Sequence, residues 1–454
     1  MAKPANSKKK DAPAKPDGIT RISVAGFKSI AEEQSIEVRP LTILAGANSS
    51  GKSSIMQPLL LLKQTLEAPY DPGALRLDGP NVRFTSANQF LSHTDHGKYV
   101  EVFSVSFETR DGGNLTTYFK KQSGKPIEVQ KSVFDRGNGS TEFRVGMSWE
   151  EMESHMSPDL LKNLGNVFRY AAKSEIRLAI ARNRFFLELL LTPTDESGSP
   201  LELFTLGEWM GRYIREAIHI PGLRGNPERT YLVAAVGSTF PGTFENYAAS
   251  VIAKWQADDD DKNLEGVSRD LNELGLTSKV SAIPLNDTQV ELQVARLPRG
   301  AKGKSDMVSI ADVGFGVSQT LPVVVALREA KPGQLVYLEQ PEIHLHPRAQ
   351  TAMAKVLADA AARGVHVVAE THSALLILGI QTLVAEGKLA PELVKLHWFE
   401  RREGVTKVRS ADLDETGSFG DWPEDFADVA LEAQSRYLDA VEARATQRKR
   451  RRAG

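Results

Sequence analysis

The sequence has no cysteine in its 454 residues. That excludes disulfide staples and thiolate metal sites, and it fits a reducing compartment. No apolar run approaches the roughly 18–20 residues that span a bilayer, and no secretory leader opens the chain, so a cytoplasmic location without a membrane partner is expected. Charge of one sign is also missing, because 56 Lys and Arg against 58 Asp and Glu leave a formal net charge of −2. A global basic field is thereby excluded, and any contact with nucleic acid has to be local. The absence of internal repeats and of sustained heptads removes repeat arrays and a long coiled-coil arm.

What is present is ordinary composition, 41% apolar and 25% charged, on a chain longer than one hydrophobic core commonly serves. Either one elaborated domain with a large insertion or two packed lobes is expected. Residues 1–18, MAKPANSKKKDAPAKPDG, offer little to bury and read as a disordered basic tail. The chain finishes on QRKRRRAG. Both ends are either solubilising or electrostatic contacts for nucleic acid or acidic partners.

ITRISVAGFKSI, SIEVRP and LTILAG alternate apolar and polar residues in short runs, the pattern of strands entering a sheet. The last run delivers GANSSGKSS, which is Gly46, Ala47, Asn48, Ser49, Ser50, Gly51, Lys52, Ser53 and Ser54, a fit to G-x-x-x-x-G-K-[ST]. The apolar helix IMQPLLLLKQTLE follows. Such a loop turns successive backbone N–H groups around phosphates, and the helix start adds the positive end of its dipole. Gly46 and Gly51 permit close backbone approach, Lys52 reaches the β/γ-phosphates, and Ser53 offers a hydroxyl to Mg²⁺. Pro58 removes one hydrogen bond from that helix, which predicts a bend.

LVYLE is a buried-strand run ending in an acid, the Walker B arrangement, from which Glu339 would hold Mg²⁺ through water opposite Ser53. HVVAE and then Thr371, His372 and Ser373 put a histidine just beyond another strand, placed to hydrogen-bond a γ-phosphate or position a water. Just upstream of LVYLE, Gly314, Gly316, Ser318 and Gln319 of GFGVSQ precede the helical run TLPVVVALREA, where small residues and a hydroxyl suit an anion.

GANSSGKSS, GFGVSQ, LEQPEIHLHP and ETHS, in this order, resemble the Walker A, signature, Walker B with D-loop, and switch-His motifs of ABC-type ATPases. Within that class the chain resembles the SMC/RecF-like branch, in particular the OLD (overcoming lysogenization defect) and Septu-type anti-phage ATPases. ITRISVAGFKSI, HIPGLRGNPERTY and FGDWPEDFADVALEA are similar to the same predicted-ATPase family. The likeness covers about residues 19–105 and 305–430 and is thin between them. No acidic cluster of a Toprim nuclease follows ETHS.

The resemblance implies an α/β fold, a P-loop ABC-type ATPase head with a mixed/parallel β-sheet flanked by helices, plus a helical insertion lobe. Residues 19–105 and 305–420 would be the two parts of the ATPase domain, 106–304 the strands and the helical lid, and 421–454 a terminal amphipathic helix with a basic tail. It implies ATP and Mg²⁺ as ligands. It also implies a head-to-head homodimer or higher homo-oligomer in which Gly314, Gly316, Ser318 and Gln319 face the partner's nucleotide. Gln89 would be the residue that senses Mg²⁺ or water.

Where the related pattern has a glutamate that polarises the attacking water, this chain has Gln340, and an amide orients water without accepting its proton. Glu342 and His372 are the expected substitutes. Slow hydrolysis is expected, serving as a sensor or switch in anti-phage defence with a separate effector protein, a nuclease among the options. The alternatives are a DNA repair or maintenance ATPase that binds DNA directly, and a nucleotide-dependent scaffold without turnover. In the middle, SPDLLKNLGNVFRYAAKSEIRLAIARNRFFLELLL and ELFTLGEWMGRYIREAIHI read as helices. Lys162, Arg182, Arg184 and Arg212 there either line a basic groove for nucleic acid or sit on solvated faces, and KWQADDDDKN is an acidic loop run.

Overall fold

A computed structural model describes residues 17–93, 99–135, 137, 139–159, 161–162, 176–193, 201–296, 306–420 and 436. The expected basic tail lies outside the described residues except for Asp17 and Gly18, as does the expected terminal helix apart from residue 436. Among the described residues no helix is long and apolar enough to cross a membrane.

The centre is a six-stranded sheet in the order Ile218–Ile220, Leu335–Glu339, His366–Thr371, Leu41–Gly46, Val394–Arg402, Val405–Ala411. The first five strands run parallel and the last closes an antiparallel hairpin. Leu41–Gly46 and His366–Thr371 are buried at every position, as strands covered on both faces must be. Their side chains alternate between two cores. Leu44, Tyr337, Val368 and Phe399 pack with Ile55, Met56 and Leu59 of helix Lys52–Leu66. Ile43, Ala45, Val336, Leu338, Val367 and Ala369 pack with helices Phe315–Glu329, Pro347–Ala362 and Ala374–Ala385. Helix Lys52–Leu66 continues through Pro58.

A second, antiparallel sheet has the order Gln34–Glu37, Ile19–Ala25, Val102–Thr109, Asn114–Lys121, Ile127–Asp135, Ser140–Phe143. Val102–Thr109 shows why it forms, since every second side chain is buried and the buried row joins the core under helix Lys52–Leu66. This strand runs across the expected division at residues 105/106.

The middle departs from the expected helical lobe. Ile176–Asn183, Phe186–Pro193 and Leu201–Leu206 form a three-stranded antiparallel sheet, while, among the described residues, 158–159, 161–162 and Glu208–Glu216 are helical as expected. The Leu- and Ala-rich composition favours helix, but Arg184 at φ 54 turns the chain in two residues, and strand pairing overrides propensity. Part of the expected first helix, residues 163–175, lies outside the described residues. The arginines read as a groove have other partners. Arg182 pairs with Asp71 at 3.0 Å, and Arg184 donates to the carbonyls of Leu66 and Ala68 at 2.6 and 2.7 Å. Together they tie the hairpin to the end of helix Lys52–Leu66. Arg212 lies over the Tyr213 ring, and Lys162 is exposed. The acidic run is a helix start, with Asp260 accepting from the backbone N–H of Asn263 at 3.2 Å to cap Asp261–Glu273.

One histidine joins the two large sheets. The His397 ring is fully buried, with Nδ1 2.8 Å from Ser410 Oγ and Nε2 2.8 Å from the Glu37 carbonyl oxygen. A neutral ring satisfies both, donating from Nε2 and accepting the Ser410 hydroxyl at Nδ1. Burial pushes its pKa down from 6.5 to about 4. The unfolded chain therefore takes up a proton that the folded chain refuses. The contribution is fully present above pH 6.5 and is lost as pH falls towards 4, up to about 3 kcal/mol. Melting temperatures measured between pH 7 and pH 4.5 should fall more steeply for the wild type than for His397→Gln, whose amide keeps a donor and an acceptor but does not titrate; equal slopes would refute this.

Candidate nucleotide site

The loop after Leu41–Gly46 is shaped by backbone crowding. Gly46 has φ 142, and a Cβ there would meet the Phe399 carbonyl oxygen at 2.3 Å. Gly51 has φ 105, and its Cβ would meet Thr406 Oγ1 at 2.3 Å. The Thr406 hydroxyl donates to the Ser50 carbonyl at 2.8 Å, so the Val394–Ala411 hairpin braces the loop from outside. Gly51 caps helix Lys52–Leu66 without a side-chain acceptor, leaving the positive helix end to a ligand. Lys52 is nearly buried, folded back so that Nζ donates to the carbonyls of Gly46 and Ala47 at 3.1 and 2.8 Å. Burial holds its pKa below the ordinary lysine value.

Above this loop opens a cavity of about 1140 Å³, ample for a nucleotide. Asn48 to Ser54 form its floor, and Lys28, Ser29, Asn88, Gln89, Gln340, Glu370, His372, Arg401 and Glu403 contribute to its walls. Ser50 is buried and its hydroxyl finds no partner among the described residues.

Carboxylates cluster beside the loop because strand register puts them there. Glu339 and Glu370 are opposite each other on neighbouring parallel strands. Ser53 Oγ lies 3.0 and 2.8 Å from the two oxygens of Glu370, and the Tyr337 hydroxyl donates to Glu370 Oε2 at 2.9 Å. Burial raises the Glu370 pKa, against the opposing pull of Ser53 and Lys52. Glu339 was expected opposite Ser53; its side chain instead accepts from His219 Nε2 and from the Gly222 N–H, both at 3.1 Å. Burial alone would raise its pKa, but the hydrogen bond and charge of His219 bring it below the usual value.

Gln340 stands at φ 45 in the cavity wall, its N–H donating to the Glu370 carbonyl at 2.8 Å. Glu342 is buried behind the wall, accepting from Thr371 Oγ1 at 2.6 Å and from the His372 N–H at 3.2 Å. There burial raises its pKa. His372 lines the cavity, and burial, followed by the Lys52 charge, lowers its pKa, so the ring is neutral at pH 7. Gln89 lies at the rim, its amide exchanging hydrogen bonds with the Thr85 backbone N–H and hydroxyl at 2.8 and 3.0 Å.

The GFGVSQ segment is already helical. Gly314 caps Phe315–Glu329, and Ser318 and Gln319 are buried within its first turns. Ser318 Oγ donates to the Phe315 carbonyl at 3.2 Å, and Gln319 Nε2 donates to the Gly225 carbonyl at 2.9 Å. Gly314 and Phe315 face solvent, the latter 55% exposed.

Three site residues were given no role by sequence reasoning. Glu370 ends an otherwise apolar strand, and that isolated charge was its signal. His219 and Arg224 belong to HIPGLRGNPERTY, where only adjacency of Ile218–Ile220 to Leu335–Glu339 brings them to the acid. Arg224 is buried and donates to the carbonyls of Gln319 and Glu339, each at 3.0 Å. Burial lowers its pKa to about 10, which leaves it charged at neutral pH.

A protein-family model described as "AAA domain, putative AbiEii toxin, Type IV TA system" matches residues 174–378. No curated protein sequence matches the chain. Similar solved structures include an SMC head bound to the C-winged helix domain of ScpA, at 14% identity and TM-score 0.47, over 88% of this chain and 98% of that one. The SMC head domain from Thermotoga maritima is 10% identical with TM-score 0.40, over 86% and 98%. An SMC head domain with an extended coiled coil, bound to the C-terminal domain of ScpA and derived from Pyrococcus furiosus, is 12% identical with TM-score 0.46, over 94% and 100%. The order of the motifs along the chain and their convergence on one cavity resemble those of ABC-type ATPases, and the matched family model, described as an AAA domain, spans somewhat less than half of the chain.

Proposed function

We propose that the chain binds Mg–ATP in the cavity above Gly46–Ser54, hydrolyses it slowly, and uses the bound state to hold a head-to-head homodimer that acts as a switch. The observation that carries this reading is the convergence of Lys52, Ser53, Gln340, Glu370 and His372 on one cavity. Lys52 exchanges its loop carbonyls for phosphate oxygens, and the loop N–H groups with the helix start take the rest of the phosphate charge. Among the described residues no three His, Cys, Asp or Glu side chains gather as a metal site. The Ser53 hydroxyl with a carboxylate of Glu339 or Glu370 fits a hard cation that shares its shell with phosphates and water. When bound, Mg²⁺ would neutralise charge on the β/γ-phosphates.

Slowness follows from the base. Gln340 orients a water but cannot take its proton, Glu342 is turned behind the wall, and neutral His372 remains as the acceptor. Losing an optimal base costs roughly 10²–10⁴-fold, while positioning and electrostatics still supply most of phosphoryl-transfer catalysis. Exposed Gly314 and Phe315 at the start of helix Phe315–Glu329 support a partner-facing surface there. The ring of His344 lies 6.3 Å from that of Phe315. We assign the switch to anti-phage defence with a separate effector, which the motif resemblance supports.

Steady-state phosphate release from Mg–ATP should run below ~1 s⁻¹, the low end of ordinary enzyme turnover, and vanish in Lys52→Ala. Release equal to that control would favour the non-hydrolysing scaffold. In sedimentation experiments ATP should drive the wild type from monomer to dimer. Phe315→Glu should bind nucleotide as tightly yet stay monomeric; an ATP-induced Phe315→Glu dimer would place the interface elsewhere.

A further inference from the structure

We propose that Glu370 is the carboxylate that, with Ser53, binds the nucleotide's magnesium ion, carrying the negative charge that position 340 lacks. The inference rests on the Mg–ATP reading above and deepens it.

The Ser53 hydroxyl, the group a P-loop offers to Mg²⁺, already faces both Glu370 oxygens at 2.8 and 3.0 Å. The carboxylate is held there: the Tyr337 phenol, 1% exposed, donates to Glu370 Oε2 at 2.9 Å. Its backbone is fixed by the parallel register with Glu339 and by the Gln340 N–H at 2.8 Å. Glu370 therefore presents hard oxygen donors, fixed before the ligand arrives, where a magnesium ion on β/γ-phosphates would sit.

The other acids at the sheet edge are engaged. Glu339 accepts from His219 and Gly222, and Glu342 is committed to Thr371 and His372. Gln340 and Glu370 are joined through the backbone and line the same cavity, so a carboxylate at either position would open onto it. Acids at 339, 340 and 370 together would crowd three charges at one sheet edge, and like charges at close range disfavour ionisation. A neutral 340 beside an acidic 370 avoids this.

The test is the magnesium dependence of binding, read with a fluorescent ATP analogue in Mg²⁺ and in EDTA. Mn²⁺ affinity is measured separately by electron paramagnetic resonance in the presence of ADP. Wild type should bind the analogue tighter with Mg²⁺. Glu370→Gln should bind no worse than wild type in EDTA, which shows that it is folded, yet lose most of the Mg²⁺ gain and bind Mn²⁺ at least about tenfold more weakly. The exchange Gln340→Glu/Glu370→Gln should regain part of both. Tyr337→Phe, which removes one anchor of the carboxylate, should lose a smaller share and keeps the test open if Glu370→Gln fails to fold. Wild-type magnesium dependence in Glu370→Gln, or its loss in Glu339→Gln alone, would overturn the assignment; an exchange variant that regains nothing would overturn the relocation of charge. Wild type that binds no nucleotide, like the Lys52→Ala control, would instead sink the Mg–ATP reading itself.

Discussion

The site depends on one constraint, the shared direction and register of the parallel strands in the central sheet. Because Leu41–Gly46, His366–Thr371 and Leu335–Glu339 run the same way, their carboxyl ends arrive at one edge. Thr371 is level with Ala45, and Glu370 with Glu339. A one-residue slip would turn every side chain to the opposite face, sending Tyr337 and Val368 into the wrong core and Glu370 away from Ser53. The two cores on either side of the sheet therefore fix the chemistry as well as the fold, since a slip would exchange the side chains that each core receives.

How much of this was legible in the sequence follows from how local each feature is. The phosphate loop is read from nine consecutive residues, because the backbone geometry it needs is written in Gly46 and Gly51. The acid strand and the His loop are legible as apolar runs with polar ends, and their order along the chain suggests one site. Which acid faces Ser53 was not legible. It is decided by the His366–Thr371 strand lying between the phosphate-loop strand and the acid strand, a neighbour relation that no spacing encodes. The strands Ile176–Asn183 and Phe186–Pro193 were missed for a related reason. Leu and Ala suit a helix, and only the Arg184 turn and a third strand, Leu201–Leu206, make pairing the better use of them.

The middle motif gains a meaning from the same neighbour relation. Ile218–Ile220 adds to the sheet beside the acid strand, and the chain then passes Gly222 and Arg224 across its end. The Arg224 guanidinium links the Gln319 carbonyl in the first turns of the signature helix to the Glu339 carbonyl. Gln319 answers by donating to Gly225. The Arg224–Gln319 contact is buried and the other two partly so, so losing the buried one strands a polar group at a cost of about 1–3 kcal/mol. The surface that would meet a partner subunit and the loop that carries Gln340 are thus parts of one hydrogen-bonded unit.

That linkage bears on how the proposed nucleotide-driven switch would work in this fold. Energetic coupling between two sites needs an element with two discrete arrangements that both sites bias. In the proposed reading Lys52 would be one such group, its ammonium folded onto the Gly46 and Ala47 carbonyls where a bound phosphate would offer another partner. Releasing it also changes the field at His372 and Glu370, whose ionisation its charge influences. The path from there to the signature helix is short: Gln340 to Glu370 by a backbone bond, Glu339 to Arg224, Arg224 to Gln319. In the proposed dimer the catalytic side of one subunit would have to register whether the interface beside it is filled, and Arg224 holds both the Gln319 carbonyl and the Glu339 carbonyl.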